Sequence, residues 1–444
     1  MIIHTLFERL KHYAKGGLIA LEDEMCSFSY LDLVEAISRK RNLLGMHRPT
    51  HRSLIVKGDY SLDAISMLWA GLMESFIVLP ITSTVLDNTT VLNLSEAGLI
   101  YDSNGDQLSE SGTKCFRAKT HSLIADDQPG IIILSSGSTG LPKAVLHDAD
   151  KLLIKYQSSK SRYSTLATML FDHIAGLDNM FYTLSSGGTL VFSQTRSPNN
   201  LIQLAIDHSV EVIPASPSLL QLMLLEENFN PGAMPSLKII TFGSESISDT
   251  VKQRLVERFS PAVRIIQKYG ATEIGNPATI TREDDPGYIR FKEGLAEFKV
   301  IDGILFIKTN SSMLGYLYQD NVVPFDGWFN TQDKVEVDGE WIKILGRVTD
   351  IVNVGGQKVY PSEVESVLQS MDNVKDAAVY GAKNPIMGSV VSAKVCLNEP
   401  ESLAYFKKRM RVFCKTKLEP FKVPVDIEIV ENLEVSGRFK KVRK

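Results

Sequence analysis

The sequence predicts an α/β protein: a large domain built on parallel strands with helical crossovers plus a β subdomain, then a small α+β domain. Three observations predict it. First, residues 53–56 form an apolar run, 61–73 have helical spacing, and 76–80 are apolar again. A strand, a helix and a strand in that order make a right-handed crossover and a parallel pair. Second, further apolar or β-branched runs at 131–134, 211–213, 237–242 and 263–266 each lead into a short turn. Third, residues 362–371, 374–380 and 389–396 read as helix, strand and strand near the C-terminus, enough for a small separate unit.

Composition permits this architecture. The chain has 444 residues, 44% hydrophobic and 23% charged, enough for two or three domains and a large core. A net charge of -4 gives no basic footprint, so nucleic acid is not an expected partner. Cys26, Cys115, Cys396 and Cys414 have no metal-like spacing and read as reduced thiols. The start, Met1-Ile2-Ile3-His4, lacks a basic-then-apolar layout, and no apolar run reaches the roughly 18 residues of a membrane span. The expected location is the cytoplasm, with no membrane span.

From the N-terminus, residues 1 to about 45 look helical, with Leu6, Leu10 and Tyr13 on the apolar side. Within them, Phe28-Ser29-Tyr30-Leu31-Asp32-Leu33 reads as a short strand entering an amphipathic helix that runs to about Leu43. The crossover unit of residues 53–80 follows. The strand at 131–134 breaks into Ser135-Ser136-Gly137-Ser138-Thr139-Gly140-Leu141-Pro142-Lys143. Small, hydroxylated and glycine residues let backbone N–H groups and hydroxyls face an anion, and lysine adds a point charge. This is a phosphate cradle, although the same residue types also build ordinary surface turns. It is not a Walker A loop, because Leu141-Pro142 separates Gly140 from Lys143 and no Ser or Thr follows the lysine.

The order Ser-Ser-Gly-Ser-Thr-Gly-x-Pro-Lys resembles the phosphate loop of the adenylate-forming superfamily: acyl- and aryl-CoA synthetases, nonribosomal peptide synthetase adenylation domains and luciferases. Ala144 stands where the family usually has glycine. The likeness continues in family order almost to the last residue. Phe171-Asp172-His173-Ile174-Ala175-Gly176-Leu177 is similar to Phe-His-x-x-Gly-Leu, whose histidine lies beside the acyl pocket. The resemblance therefore puts His173 and Asp172 in the substrate pocket, joined by Ser216 from the turn Pro214-Ala215-Ser216-Pro217. Asp172 would either hold the His173 ring or read a polar group on the substrate. Gly243, Ser244 and Glu245 match the turn that borders adenine.

Lys268-Tyr269-Gly270-Ala271-Thr272-Glu273 resembles the hallmark Tyr-Gly-x-Thr-Glu. There the ring of Tyr269 would stack on adenine, with Gly270 and Ala271 beside it. Thr272 would donate to a phosphate and Glu273 would hold Mg²⁺. Trp328-Phe329-Asn330-Thr331-Gln332-Asp333 is similar to the segment whose aspartate accepts both ribose hydroxyls, with Gln332 in place of a glycine. Gly346-Arg347-Val348-Thr349-Asp350 resembles the ribose-contacting arginine followed by the domain hinge, here Thr349. The implied domains are therefore residues 1–346, binding AMP, and 347–444, small and mobile. Ser362, with Glu365 three residues on, reads as a helix cap in the next motif. Ser436-Gly437-Arg438-Phe439-Lys440 resembles the C-terminal motif whose lysine bridges carboxylate and phosphate, and either Arg438 or Lys440 fills that role.

The resemblance implies an ATP- and Mg²⁺-dependent acid–thiol ligase. A small carboxylic acid would be activated as an acyl-adenylate and passed to the thiol of CoA or of a carrier-protein phosphopantetheine. Ser135, Ser136, Gly137, Ser138, Thr139, Gly140 and Lys143 would hold the phosphates, with Tyr269, Asp333 and Arg347 on the nucleoside. Two alternatives stay open. Asp172 would suit an adenylation domain that loads an amino acid onto a carrier. The departures Ala144, Gln332, Thr349 and Arg438 would suit a catalytically weak adenylate- or acyl-binding regulator.

Overall fold

A computed structural model describes residues 1–82, 97–111, 118–135, 143–158, 161–317, 327–385, 387–434 and 441. Most of the phosphate loop, from Ser136 through Gly137, Ser138, Thr139, Gly140 and Leu141 to Pro142, lies outside the described residues, as do Arg438 and Lys440.

Two seven-stranded sheets form the large domain. In the first, strands Ser53–Lys57 and Ile77–Ile81 pair in parallel across the helix Leu62–Met73, as the spacing predicts. Ser61 caps that helix by accepting from the Ala64 N–H, which satisfies one orphan donor. Ten consecutive residues of the helix, from Ala64 to Met73, are buried, so it carries apolar residues all round. In the second sheet, strands Val212–Ala215, Ile239–Phe242 and Arg264–Gln267 run parallel and adjacent. One hydrophobic core takes Leu54, Val78 and Ile131 from the first sheet and Leu21 and Leu190 from the second, along with helix Leu62–Met73. A six-stranded antiparallel sheet follows, and then a five-stranded sheet with helices Pro361–Gln369 and Leu403–Lys415.

Two expectations are corrected. The N-terminal helix stops at Lys15, where Gly17 takes a φ of 63°; the strand Ile19–Glu22 then intervenes before the helix Tyr30–His47. Glycines release the chain from helical φ, and the next apolar pair, Ala20 and Leu21, is buried in the sheet. Ser362 is not a cap. Tyr360 occupies that position with Pro361 at the first helical turn, and Ser362 instead donates to the Leu345 carbonyl at 3.2 Å. Glu365 is buried and accepts from the Val379 N–H at 3.0 Å, tying helix to strand.

The small domain docks on the large one through named bonds. Thr250 donates to the Ser366 carbonyl at 2.7 Å, Ser248 to Gln369 Oε1 at 2.6 Å, and Arg254 to the Gln369 carbonyl at 2.9 Å. A single turn, Val348–Asp350, joins the six-stranded sheet to the five-stranded one.

Candidate active site

Ligands of open α/β sheets sit beyond the carboxyl ends of the strands. Here the three adjacent parallel strands end in Pro214-Ala215, Phe242-Gly243-Ser244 and Lys268-Tyr269, all of which line one cavity of about 250 Å³. Gly243 is required there: a Cβ would sit 2.5 Å from the Lys268 carbonyl oxygen. Gly270 is equally confined, with Asn276 Oδ1 1.8 Å from where its Cβ would be. Ser244 and Gln332 hold φ of 73° and 59°, a strained region for residues with side chains. Gln332 thus keeps the backbone form that a glycine would take without strain.

Three polar clusters border the cavity. The first is built on a hairpin. Strands Gly130–Ser135 and Lys143–Asp148 are antiparallel with Ser135 opposite Lys143, so the phosphate loop connects two paired strands. Both residues line the cavity, and the Lys143 ammonium lies 5.1 Å from the centre of the Tyr316 ring. The Tyr316 hydroxyl donates to Glu273 Oε1 at 2.8 Å, and burial, with Glu273 beside it, raises its pKa well above the ordinary tyrosine value. Thr272 is fixed from behind: its carbonyl lies 2.7 Å from His147 Nε2, on the strand that follows the loop. Burial lowers the His147 pKa below its ordinary value, so the ring is neutral and donates there.

The second cluster is Tyr269, Asp333 and Arg347. The Tyr269 hydroxyl donates to Asp333 Oδ2 at 2.6 Å, and Arg347 Nε lies 3.5 Å from Oδ1. Burial raises the Asp333 pKa, with Arg347 opposing. Tyr269 and Arg347 line the cavity; the Asp333 carboxylate lies covered behind them. The Tyr269 ring packs edge-on against Phe291, 6.0 Å between centres.

The third cluster was not visible as a site in the sequence. Asp178 and Asn179 project from the helix Ile174–Ser185 into the cavity, with Lys268 and Asn276 beside them. Asp178 accepts from Lys155 and from the Tyr156 hydroxyl. Burial pushes its carboxyl up, and Lys155 and Lys268 more than reverse this, leaving it below its ordinary range. The available signal was two adjacent polar residues inside an otherwise apolar helix.

His173 lines the cavity and caps that helix, Nδ1 accepting from the Ala175 N–H at 3.2 Å. Besides the covered Asp333, three expected residues do not line it. Asp172 turns away: its Oδ2 accepts from the Thr82 N–H at 3.0 Å and the Thr82 hydroxyl at 2.8 Å, so it neither holds the His173 ring nor faces a substrate. Successive residues just before a helix point in different directions, and only His173 falls on the cavity side. Ser216 caps the helix Pro217–Met223, accepting from the Leu219 N–H. Glu245 accepts from the Ser218 N–H at 2.9 Å at the same helix end. Thr349 lines the cavity, and no described residue after it does.

Parallel strands ending at one cavity, two paired strands flanking the segment that resembles a phosphate loop, and a carboxylate–tyrosine–arginine group fit an enzyme of the adenylate-forming superfamily. The chain belongs to the AMP-binding enzyme family, which it matches over residues 73–317, and residues 363–440 match the AMP-binding enzyme C-terminal domain. Its activity is activation of a carboxylic acid as an acyl-adenylate, followed by thioester formation. It is 24% identical to the D-alanine–D-alanyl carrier protein ligase of Staphylococcus haemolyticus, covering 96% of this chain and 95% of that one. It is 27% identical to the 4-chlorobenzoate–CoA ligase of an Arthrobacter species over 76% of this chain and 70% of the other. The structure superposes with a TM-score of 0.80 on ATP-bound MatB from Rhodopseudomonas palustris, at 20% identity, covering 98% of this chain and 96% of that one. No helix among the described residues is long and apolar enough to cross a membrane.

Proposed function

We propose that this cavity performs both half-reactions of an AMP-forming acid–thiol ligase, with CoA or a carrier-protein phosphopantetheine as the thiol. The observation that carries this reading is the placement of Ser135 and Lys143, at the two ends of the phosphate loop, in the same cavity as Thr272, Glu273, Tyr269 and Arg347.

In the first step a substrate carboxylate oxygen attacks the α-phosphorus of ATP and the bond to pyrophosphate breaks. Ser135, Lys143, Thr272 and the loop residues Ser138 and Thr139 hold the phosphates as charge develops. Tyr269, Asp333 and Arg347 hold the nucleoside, whose ribose hydroxyls take over Asp333 lone pairs that now face Tyr269 and Arg347. Either Arg438 or Lys440 supplies further positive charge. In the second step a thiolate attacks the acyl carbonyl and the bond to AMP breaks. No enzyme nucleophile is required, so rate comes from positioning and charge.

Glu273 fits a magnesium ion shared with ATP phosphates. Mg²⁺ at such sites takes one or two carboxylates plus phosphate oxygens. Glu273 offers one lining carboxylate, and among the described residues no cluster of three metal-binding side chains competes with it. When bound, the ion would neutralise phosphate charge. The working division is residues 1–346 and 347–444 with Thr349 at the hinge, and the working location is the cytoplasm.

Pyrophosphate release from aryl, fatty and amino acids, with and without CoA, tests the reading. Acid-dependent release with an acyl-CoA product supports it, and no acid-dependent release overturns it. Release without CoA acylation favours carrier loading. The 24% identity to a carrier protein ligase across 96% of the chain supports that second reading, although Asp172, its expected amine partner, faces Thr82.

A further inference from the structure

The nucleotide reading above leaves the third cluster without a role. We propose that it reads the far end of the acid: the substrate is a short carboxylic acid bearing a second anionic group, and Lys268 selects it. This inference rests on the acid–thiol ligase reading above.

Helix Ile174–Ser185 places Ala175, Asp178 and Asn179 on one face toward the cavity, with Tyr182 one turn beyond Asp178. Asp178 is the only carboxylate of this wall among the described lining residues, and it already carries a counter-ion in Lys155. Lys155 and the Tyr156 hydroxyl both donate to its Oδ1, and Lys155 also donates to the Asn276 carbonyl at 2.8 Å. Lys155 and Asp178 therefore cancel each other within the wall. A cationic group on the substrate would meet a carboxylate that already carries its counter-ion.

Lys268 has no such partner. It follows the strand Arg264–Gln267 and lines the cavity as an exposed side chain, its ammonium 5.6 Å from the centre of the Tyr182 ring, one turn from Asp178 on the facing helix. Among the described residues it enters no salt bridge. Two ammonium groups against one carboxylate leave the wall with one uncompensated positive charge, and Asn179 and Asn276 add polar groups around it. A hydrocarbon tail pressed on this wall would strip water from those groups without replacing its bonds. An anionic group would pair with Lys268 in a charge-assisted contact. The whole cavity, about 250 Å³, lies below the roughly 300–1,000 Å³ of ligand pockets, and it is shared with the nucleotide residues, which leaves room only for a short acid.

The test uses three-, four- and five-carbon dicarboxylates, each matched with the monocarboxylate and the ω-amino acid of equal length. Pyrophosphate release and calorimetric binding in the presence of AMP are both measured. The preferred dicarboxylate should exceed its matched monocarboxylate at least about tenfold in kcat/KM, the effect of one charge-assisted contact. Lys268→Gln should collapse that ratio through KM, and Lys268→Arg should restore part of it. A preference for monocarboxylates or amino acids, a ratio unchanged in Lys268→Gln, or no binding of any dicarboxylate overturns the inference. Lys268-dependent dicarboxylate binding without pyrophosphate release would uphold it and overturn the ligase reading instead.

Discussion

The Tyr269 hydroxyl and Asp333 Oδ2 stand 2.6 Å apart, one donating and one accepting, while Arg347 Nε lies 3.5 Å from the other carboxylate oxygen. Asp333 is thus held behind the cavity wall by two residues that line it. Asp333→Asn should raise the KM for ATP about tenfold or more, since one carboxylate takes two donors. Burial raises the Asp333 pKa, so the folded chain holds this proton more tightly than the unfolded chain. Stability from this group is present below the ordinary value of 3.8 and is lost as pH rises through the folded value. Asp333→Asn should therefore melt above wild type at pH 7, and the gap should narrow in acid. A lower melting temperature at pH 7 with an unchanged KM would contradict both roles.

Lys143 touches the rest of the protein mainly through the Tyr316 ring, and its strand pairing is made by backbone. Lys143→Ala should leave the melting temperature nearly unchanged and cut kcat/KM for ATP by roughly 10²-fold or more, the usual effect of removing a preorganised charge donor. Combined with Thr139→Ala, the loss should deepen. Wild-type kinetics in the double variant would remove the loop from phosphate binding.

Glu273 carries the expected metal role and accepts from Tyr316 at 2.8 Å. Glu273→Gln should need more Mg²⁺ for half-maximal adenylation and lose about 10²-fold in rate at physiological metal. Tyr316→Phe, which keeps the carboxylate, should lose less. A magnesium titration that superposes on wild type would assign the carboxylate elsewhere.

His147 is buried and its pKa is lowered by that burial below 6.5. The unfolded chain takes up this proton at higher pH than the folded chain. The stabilising contribution is therefore present above about 6.5 and is lost as pH falls toward the folded value. His147→Gln, which can still donate to the Thr272 carbonyl, should lose fewer degrees of melting temperature than wild type between pH 7.5 and 5. Parallel melting curves would show that the ring is not held neutral.

On the ligase reading proposed above, adenylation would bring the Arg438–Lys440 stretch to the cavity, and thioester formation would bring the small domain's turn Gly355–Gly356, between strands Val352–Val354 and Gln357–Val359, to the same place. A swing at Thr349 would separate the two steps. Thr349→Pro fixes φ and should spare one half-reaction while slowing the other at least about tenfold. The docked orientation is held partly by Thr250 on Ser366, a contact of about 0.5–1.5 kcal/mol. Thr250→Val should therefore shift the balance between the half-reactions. Equal slowing of both steps in both variants would mean that one orientation serves both.

The sequence by itself determined the parallel crossover of residues 53–81, because apolar runs of strand and helix period alternate there. It also determined the family and the residue types of the first two clusters, because phosphate, ribose and metal each demand particular groups in short local motifs. Tertiary structure decided the rest. Asp172 and His173 are adjacent in sequence, yet one is turned to Thr82 and the other to the cavity, a choice made by the two bonds from Thr82, just past the strand Ile77–Ile81. Ser216 and Glu245 were legible as polar turn residues, but their oxygens go to the N-terminal amides of the helix Pro217–Met223, which need acceptors. Lys155, Asp178 and Lys268 come from three segments with no shared motif, and their charges meet only when a helix and a strand end face one cavity. Charge balance in a cavity depends on distances between side chains far apart in the chain, and no local pattern of residues encodes it.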